Sequence, residues 1–196
     1  GNQYVKYNPD VNIFHPDNAG VIETTIPIYL CPSMAFDGAV NPQGAPGSYT
    51  ACTGTERPDY YIDTTTGKVS HDGATIAVID NTNRLALRHI VDGTSHTFAI
   101  GEFDYFGGAV TDGPKWAGGY LVGLAGATWG PFNPARPPTD FSRYTQAYTA
   151  FRSDHPGGAL FLMVDGSVRF LDETTDDSLL DALATREGGE IVEPDP

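Results

Sequence analysis

The sequence predicts a mainly β, α+β domain: an antiparallel sheet of hairpins with long glycine-rich loops and one short C-terminal helix. Three observations carry this. Short apolar runs of strand length recur between turn residues, as at residues 159–164 (ALFLMV) between Gly157-Gly158 and Asp165-Gly166. Five Asp-Gly steps, at 37, 72, 92, 112 and 165, offer turn residues that accept positive φ between antiparallel strands. Helix-period segments are scarce, whereas Gly 23 and Pro 15 exceed their usual share. At 196 residues the chain is long enough for one domain with a sizeable core.

Taken in order, residues 1–20 are polar and read as an irregular lead-in, with Tyr4, Tyr7 and Phe14 as anchors. Residues 21–30 are β-branched and apolar but interrupted by Pro27, which fits an edge strand or two short pieces. Residues 37–47 (DGAVNPQGAPG) are a loop by composition. Short strands are expected at 49–53, 74–79, 85–90 and 97–102, the last two flanking Asp92-Gly93. Residues 107–138 form a long excursion with one short strand near 120–124. The main hairpin pairs 159–164 with 167–171 across Asp165-Gly166, where Val168 and Phe170 alternate with Ser167 and Arg169. A helix follows within 174–186: Thr175 or Asp176 caps it, acids fill its first turn, and Gly188-Gly189 stops it. The tail, 190–196, is loose.

The net charge of −14, with only 11 basic residues, argues against a nucleic-acid partner. It suits an exported protein or one that meets divalent cations. No run of 18 apolar residues is present to span a membrane. Cys31 and Cys52 belong to no CxxC or clustered Cys/His spacing, so a zinc site is not expected from spacing.

The segment that carries recognition is FRSDHPGGALFLMVDGSVRFL, residues 151–171, where nine residues separate His155 from Asp165-Gly166. This resembles the C-terminal signature of the bacterial family called domain of unknown function 1559. Four other stretches agree in order and type: PIYLCPS at 27–33, SYTACTG at 48–54, DGTSHT at 92–97 with Gly101-Glu102, and LATREGGE at 183–190. The family's members look like type II secretion pseudopilins of planctomycete-type bacteria. The resemblance therefore implies a pilin-like domain whose long N-terminal helix is absent here, Gly1-Asn2-Gln3-Tyr4 being an unnatural start. It implies a non-enzymatic structural subunit of a secretion or surface filament, at the cell surface, outside the cell or in the periplasm. Its partners would be other copies of itself or related pseudopilins, and it would meet the membrane only through the absent helix. For an exported domain, two cysteines near strand ends suggest one Cys31–Cys52 disulfide, worth about 3 kcal/mol in the chain-entropy model for a loop of about 20 residues.

Catalysis has little support. Ser95-His96 and Ser153-Asp154-His155 are sequence neighbours, and adjacent side chains on a strand point to opposite faces. No GxSxG elbow, phosphate loop or HExxH is present. His155 has two readings: a ligand or binding residue, or a structural imidazole that bonds a backbone carbonyl at the Pro-Gly-Gly corner. The structural one is favoured, because a strand of about six residues, about 20 Å long, holds His155 away from Asp165. Asp165 is read as a turn residue. No cofactor is required. Calcium is the candidate cation, through Asp59 and Asp63 or Asp172 and Asp176, although an acidic helix start explains the second pair equally. The alternative function is a secreted or surface-anchored carbohydrate-binding module. Trp116, Trp129, Tyr60 and Tyr61 would be its stacking surface for polysaccharide, against the plainer reading that they cover the core beneath loops.

Overall fold

The computed structural model describes residues 3–34, 40–42, 44–55, 71–75, 85–103, 115–117, 125–134 and 150–190. Five strands form one sheet: β1 Tyr49–Gly54, β2 Phe98–Glu102, β3 Ala125–Ala127, β4 Gly158–Met163 and β5 Val168–Asp172, in the order β3-β1-β2-β4-β5. The mainly β, α+β expectation holds. The β4–β5 hairpin turns where it was expected: Gly166 has φ +89°, and Asp165 Oδ1 accepts hydrogen bonds from the Ser167 backbone N–H and hydroxyl. Those two donors hold the exposed Asp165 carboxyl below its ordinary range.

The sheet is not a pure meander. β1–β2, β2–β4 and β4–β5 are antiparallel, but β3 runs parallel to β1. β3, Ala-Gly-Ala, carries no β-branched or aromatic signal. It is a strand because its small residues let the Phe151 ring lie on it; a Cβ at Gly126 would stand 2.4 Å from Phe151 Cε1.

Three other expectations are corrected. The lead-in is folded: α1 spans Gln3–Lys6 and α2 spans Pro16–Ile22. Fully buried Asn18 pins it, accepting from the Asn8 N–H and donating to the carbonyls of Asn8 and Asn12. Residues 21–30 are not a strand. Pro16 opens α2 behind a His15 cap, Val21 and Ile22 are buried on it, and Pro27–Tyr29 is a single 3₁₀ turn. Residues 85–90 hold a 3₁₀ turn, Leu87–His89, closed by the Ala86 N–H bonding to His89 Nδ1. Here local polar closure and tertiary burial outweigh β-propensity. The expected strand residues 76–79 and 120–124 lie outside the described residues, as do 37–39 of the expected loop and the tail from 191.

The core lies on one face of the sheet. Phe161 stacks on Phe98 with centroids 4.2 Å apart, meets Phe151 edge-on at 5.0 Å and touches Phe132 at 5.8 Å. α3, Asp177–Ala184, closes this face with Leu180, Leu183 and Ala184 and is capped by Asp176, whose side chain accepts from the Ser178 N–H. Simple alternation would put Phe98 on the same face as Ile100. Phe98 pairs with Met163 and Ile100 with Leu162, so a bulge at Ala99 returns Phe98 to the core. The outer face carries Ile100 (37% exposed), Phe170 (48%) and Val168 (62%), with Leu160 and Leu162 partly buried between them.

The expected disulfide is not formed; both cysteines are free thiols. Tyr49 pairs with Glu102 and shares its face, and Cys52, three residues on, points the other way into the core. Cys31 contacts the Glu102 side, so the sheet stands between the two sulfurs. Unfolding without reductant should expose two thiols per chain to alkylation; a single adduct or none would contradict the fold. Burial also raises the Cys52 thiol from its ordinary 9.0 to about 12. The folded chain then holds a proton that the unfolded chain releases. This contribution to stability is complete below about pH 8.5 and decays as pH rises toward 12. Urea unfolding across that window should show an alkaline loss that Cys52→Ala reduces, and an unchanged slope in the variant would refute it.

Candidate functional site

Three residues from distant parts of the chain meet at one end of the sheet. Cys31 follows the 3₁₀ turn of 27–29. Its N–H donates to Ser48 Oγ at 2.8 Å, and the Ser48 N–H donates to the Tyr29 carbonyl, also at 2.8 Å. These bonds clamp the 29–31 segment beside the start of β1. Glu102 ends β2 and is only 2% exposed. Its Oε2 accepts the Leu160 N–H at 2.8 Å, so the carboxylate takes the place of a ladder carbonyl where β4 begins. His155 stands at the corner before β4, its N–H bonded to Ser153 Oγ.

The side chains converge. His155 Nε2 is 3.4 Å from Cys31 Sγ and 3.2 Å from Glu102 Oε1, and the three ligand atoms lie within 4.8 Å of one another. The Nε2···Oε1 contact is close enough for an ion pair but is not aligned as a hydrogen bond, so the buried Oε1 makes none. Burial pushes the Cys31 thiol up, and the neighbouring Glu102 adds to the rise. The same two groups reinforce the upward shift that burial causes at the Tyr49 phenol. A void of about 10 Å³ adjoins the trio, lined by Cys31, Met34, Ser48 and Glu102 among others, roughly the space of one water. Beside it, Arg152 pairs with Asp154 at 3.0 Å and donates to the Pro134 carbonyl. His155 keeps about a quarter of its side chain exposed, which leaves the trio one open side.

Gly101 and Gly126 make this end of the sheet possible. A Cβ at Gly101 would meet Phe151 Cδ1 at 2.4 Å and Phe161 Cε1 at 2.8 Å, on the face opposite to Glu102. Phe151 therefore lies flat against the sheet, and its neighbours 152–155 run past the end of β2. The Arg152 N–H bonds to the Glu102 carbonyl there.

His155 and Asp165 are indeed at opposite ends of β4. The Nε2 of His155, however, is aimed at Cys31 and Glu102 rather than at Asp165. Asp172 and Asp176 do not converge on one cation: each uses Oδ1 to close its own local turn, with Thr174 and Ser178 respectively. Asp59, Asp63, Tyr60 and Tyr61 lie outside the described residues. Trp116 stacks on Tyr29 at 5.6 Å and donates from Nε1 to the Thr24 carbonyl. It walls a cavity of about 410 Å³ with Tyr4, Tyr7 and Ile26. Trp129 sits instead in the turn after β3.

Glu102 was missed as a site residue, although a carboxylate ending the apolar run FAIGE is a visible anomaly. The trio as a whole escapes spacing rules, because its members are at 31, 102 and 155. The signature stretches nevertheless lead to it: PIYLCPS supplies Cys31, SYTACTG supplies Ser48, Gly101-Glu102 supplies Glu102, and residues 151–171 supply His155. The remaining signature, LATREGGE, closes a different joint. The amides of Gly188 and Gly189 bond to the Asp92 carboxylate, and Arg186 Nη1 donates to the carbonyls of His71 and Gly73.

Residues 1–178 match the family described as protein of unknown function (DUF1559). No curated protein and no solved structure matches the chain.

Proposed function

The chain belongs to the family of proteins of unknown function (DUF1559), and from that premise we propose that it is the globular domain of a non-enzymatic, pseudopilin-like subunit of a bacterial secretion or surface filament. The observation that supports this reading is the outer face of β2, β4 and β5. A one-sided antiparallel sheet normally turns polar residues to water. Here Ile100, Leu160, Leu162, Val168 and Phe170 occupy successive outward positions. The face suits the apolar helix of a pilin-like subunit, its own or a neighbouring copy's, while α3 and the lead-in leave it uncovered. Among the described residues no helix is long and apolar enough to cross a membrane.

The test is Val168→Asp with Phe170→Asp in the full-length gene. Both side chains are exposed, so the isolated domain should keep its melting temperature to within a few degrees. Incorporation into the sedimenting envelope or filament fraction should be lost. Wild-type incorporation of the double variant would defeat the proposal.

The carbohydrate-binding alternative draws on Trp116, which lies with Tyr29 at an aromatic-walled cavity. Sugars need polar partners as well as a stacking face, and this wall is mostly apolar, so the filament reading is preferred. Glycan binding abolished by Trp116→Ala would reverse that preference.

A further inference from the structure

We propose that Cys31, Glu102 and His155 form a three-ligand site for a divalent zinc ion, with the fourth coordination position left to a water in the small void beside Cys31 and Glu102. Nothing in the filament reading requires it, and it stands on the geometry alone. Zinc takes thiolate at about 2.3 Å and imidazole or carboxylate at about 2.0–2.2 Å, in a tetrahedron whose ligand atoms are therefore about 3.3–3.6 Å apart. The Sγ···Nε2 and Nε2···Oε1 separations are 3.4 and 3.2 Å, close to those edges before any adjustment.

The donor set selects the metal class. Sulfur, imidazole nitrogen and one carboxylate oxygen suit zinc, whereas calcium and magnesium call for oxygen throughout. The buried Glu102 Oε1, without a hydrogen bond of its own, is the second mark of a ligand site: a carboxylate oxygen 2% exposed in its residue needs a cation or a donor. The supports that orient metal ligands are also present. Leu160 N–H holds the other Glu102 oxygen, and Ser48 Oγ holds the Cys31 backbone. Binding breaks the Cys31 S–H bond, releases that proton to water and forms the sulfur–metal bond, with no change of oxidation state. The small void lined by Cys31, Ser48 and Glu102 has room for about one water as the fourth ligand. The ion would clip the 27–34 segment to the end of β2 and the corner before β4.

Cobalt(II) titration of the metal-free chain, followed by displacement with zinc, tests this. One equivalent of cobalt should saturate a thiolate-to-cobalt charge-transfer band, and zinc should abolish that band. Cys31→Ser should remove the band, and His155→Ala or Glu102→Gln should weaken zinc binding by more than about tenfold, since even outer supports of such sites are worth about 10–100-fold. Alkylation of the folded Cys52→Ala chain gives a readout that no ligand variant can obscure: zinc should protect the remaining thiol, Cys31. Absence of a saturable band, zinc affinity unchanged in Cys31→Ser, or equal alkylation rates with and without zinc would each overturn the proposal.

Discussion

Phe161→Ala should cost about 3–5 kcal/mol and lower the melting temperature by roughly 10 °C or more. Phe161 is 1% exposed and is the common partner of Phe98, Phe151 and Phe132. Truncation removes the transfer energy of the ring and all three ring contacts, each aromatic pair adding about 0.5–1.5 kcal/mol beyond area. Phe151 is already seated over Gly101 and Gly126, so filling the hole would require it to leave that contact. Against a total stability of about 5–15 kcal/mol this is a large fraction. Phe170→Ala is the control on the other face. Its side chain is 48% exposed, and the loss should stay near or below about 1 kcal/mol. Chemical denaturation of both variants checks the pair, and similar losses would show that the core has been assigned to the wrong face.

Glu102→Ala should destabilise by about 2–3 kcal/mol, whereas Glu102→Gln should cost about 1 kcal/mol or less in metal-free protein. The Leu160 N–H lies at the start of β4 and has the Glu102 carboxylate as its acceptor. Alanine removes the acceptor and leaves a donor in the sheet with no partner, a penalty of about 1–3 kcal/mol, and adds a small cavity. Glutamine keeps an oxygen for the same N–H and gives up only the charge. The His155 side chain is partly exposed, so water can replace its contact with Glu102 and no further large penalty arises there. Hydrogen exchange at Leu160 separates the cases: protection should fall in the alanine variant and persist in the glutamine variant. Equal stability and equal exchange in the two variants would show that the carboxylate does not hold the strand.

The parts of the fold legible in the sequence are those set by neighbours along the chain. The Asp165-Gly166 turn with its two strands and the Asp176-capped helix are local: a positive φ at Gly166, an Asp that bonds two residues ahead, apolar residues at strand or helix spacing. The same locality explains the misreadings at 21–30 and 85–90. Both have strand-like composition. One instead buries Val21 and Ile22 on a short helix beneath Ala45, whose N–H bonds to the Ile22 carbonyl, and the other closes on His89. β3 has the opposite problem, having strand geometry without strand residues.

The sequence by itself determined the class of fold, the main hairpin, the C-terminal helix and the stretches that carry the family's signature. Each follows from residues within a few positions of one another, where backbone preference and alternation act directly. Only the tertiary structure decided where those stretches meet. A bulge at Ala99 chooses which apolar residues are core. The sheet separates Cys31 from Cys52, and pairing of β1, β2 and β4 brings residues 31, 102 and 155 to one point. Such meetings depend on register and on which face a side chain takes. A single-residue slip reverses that face without changing any local pattern, so the site could not be read before the strands were paired.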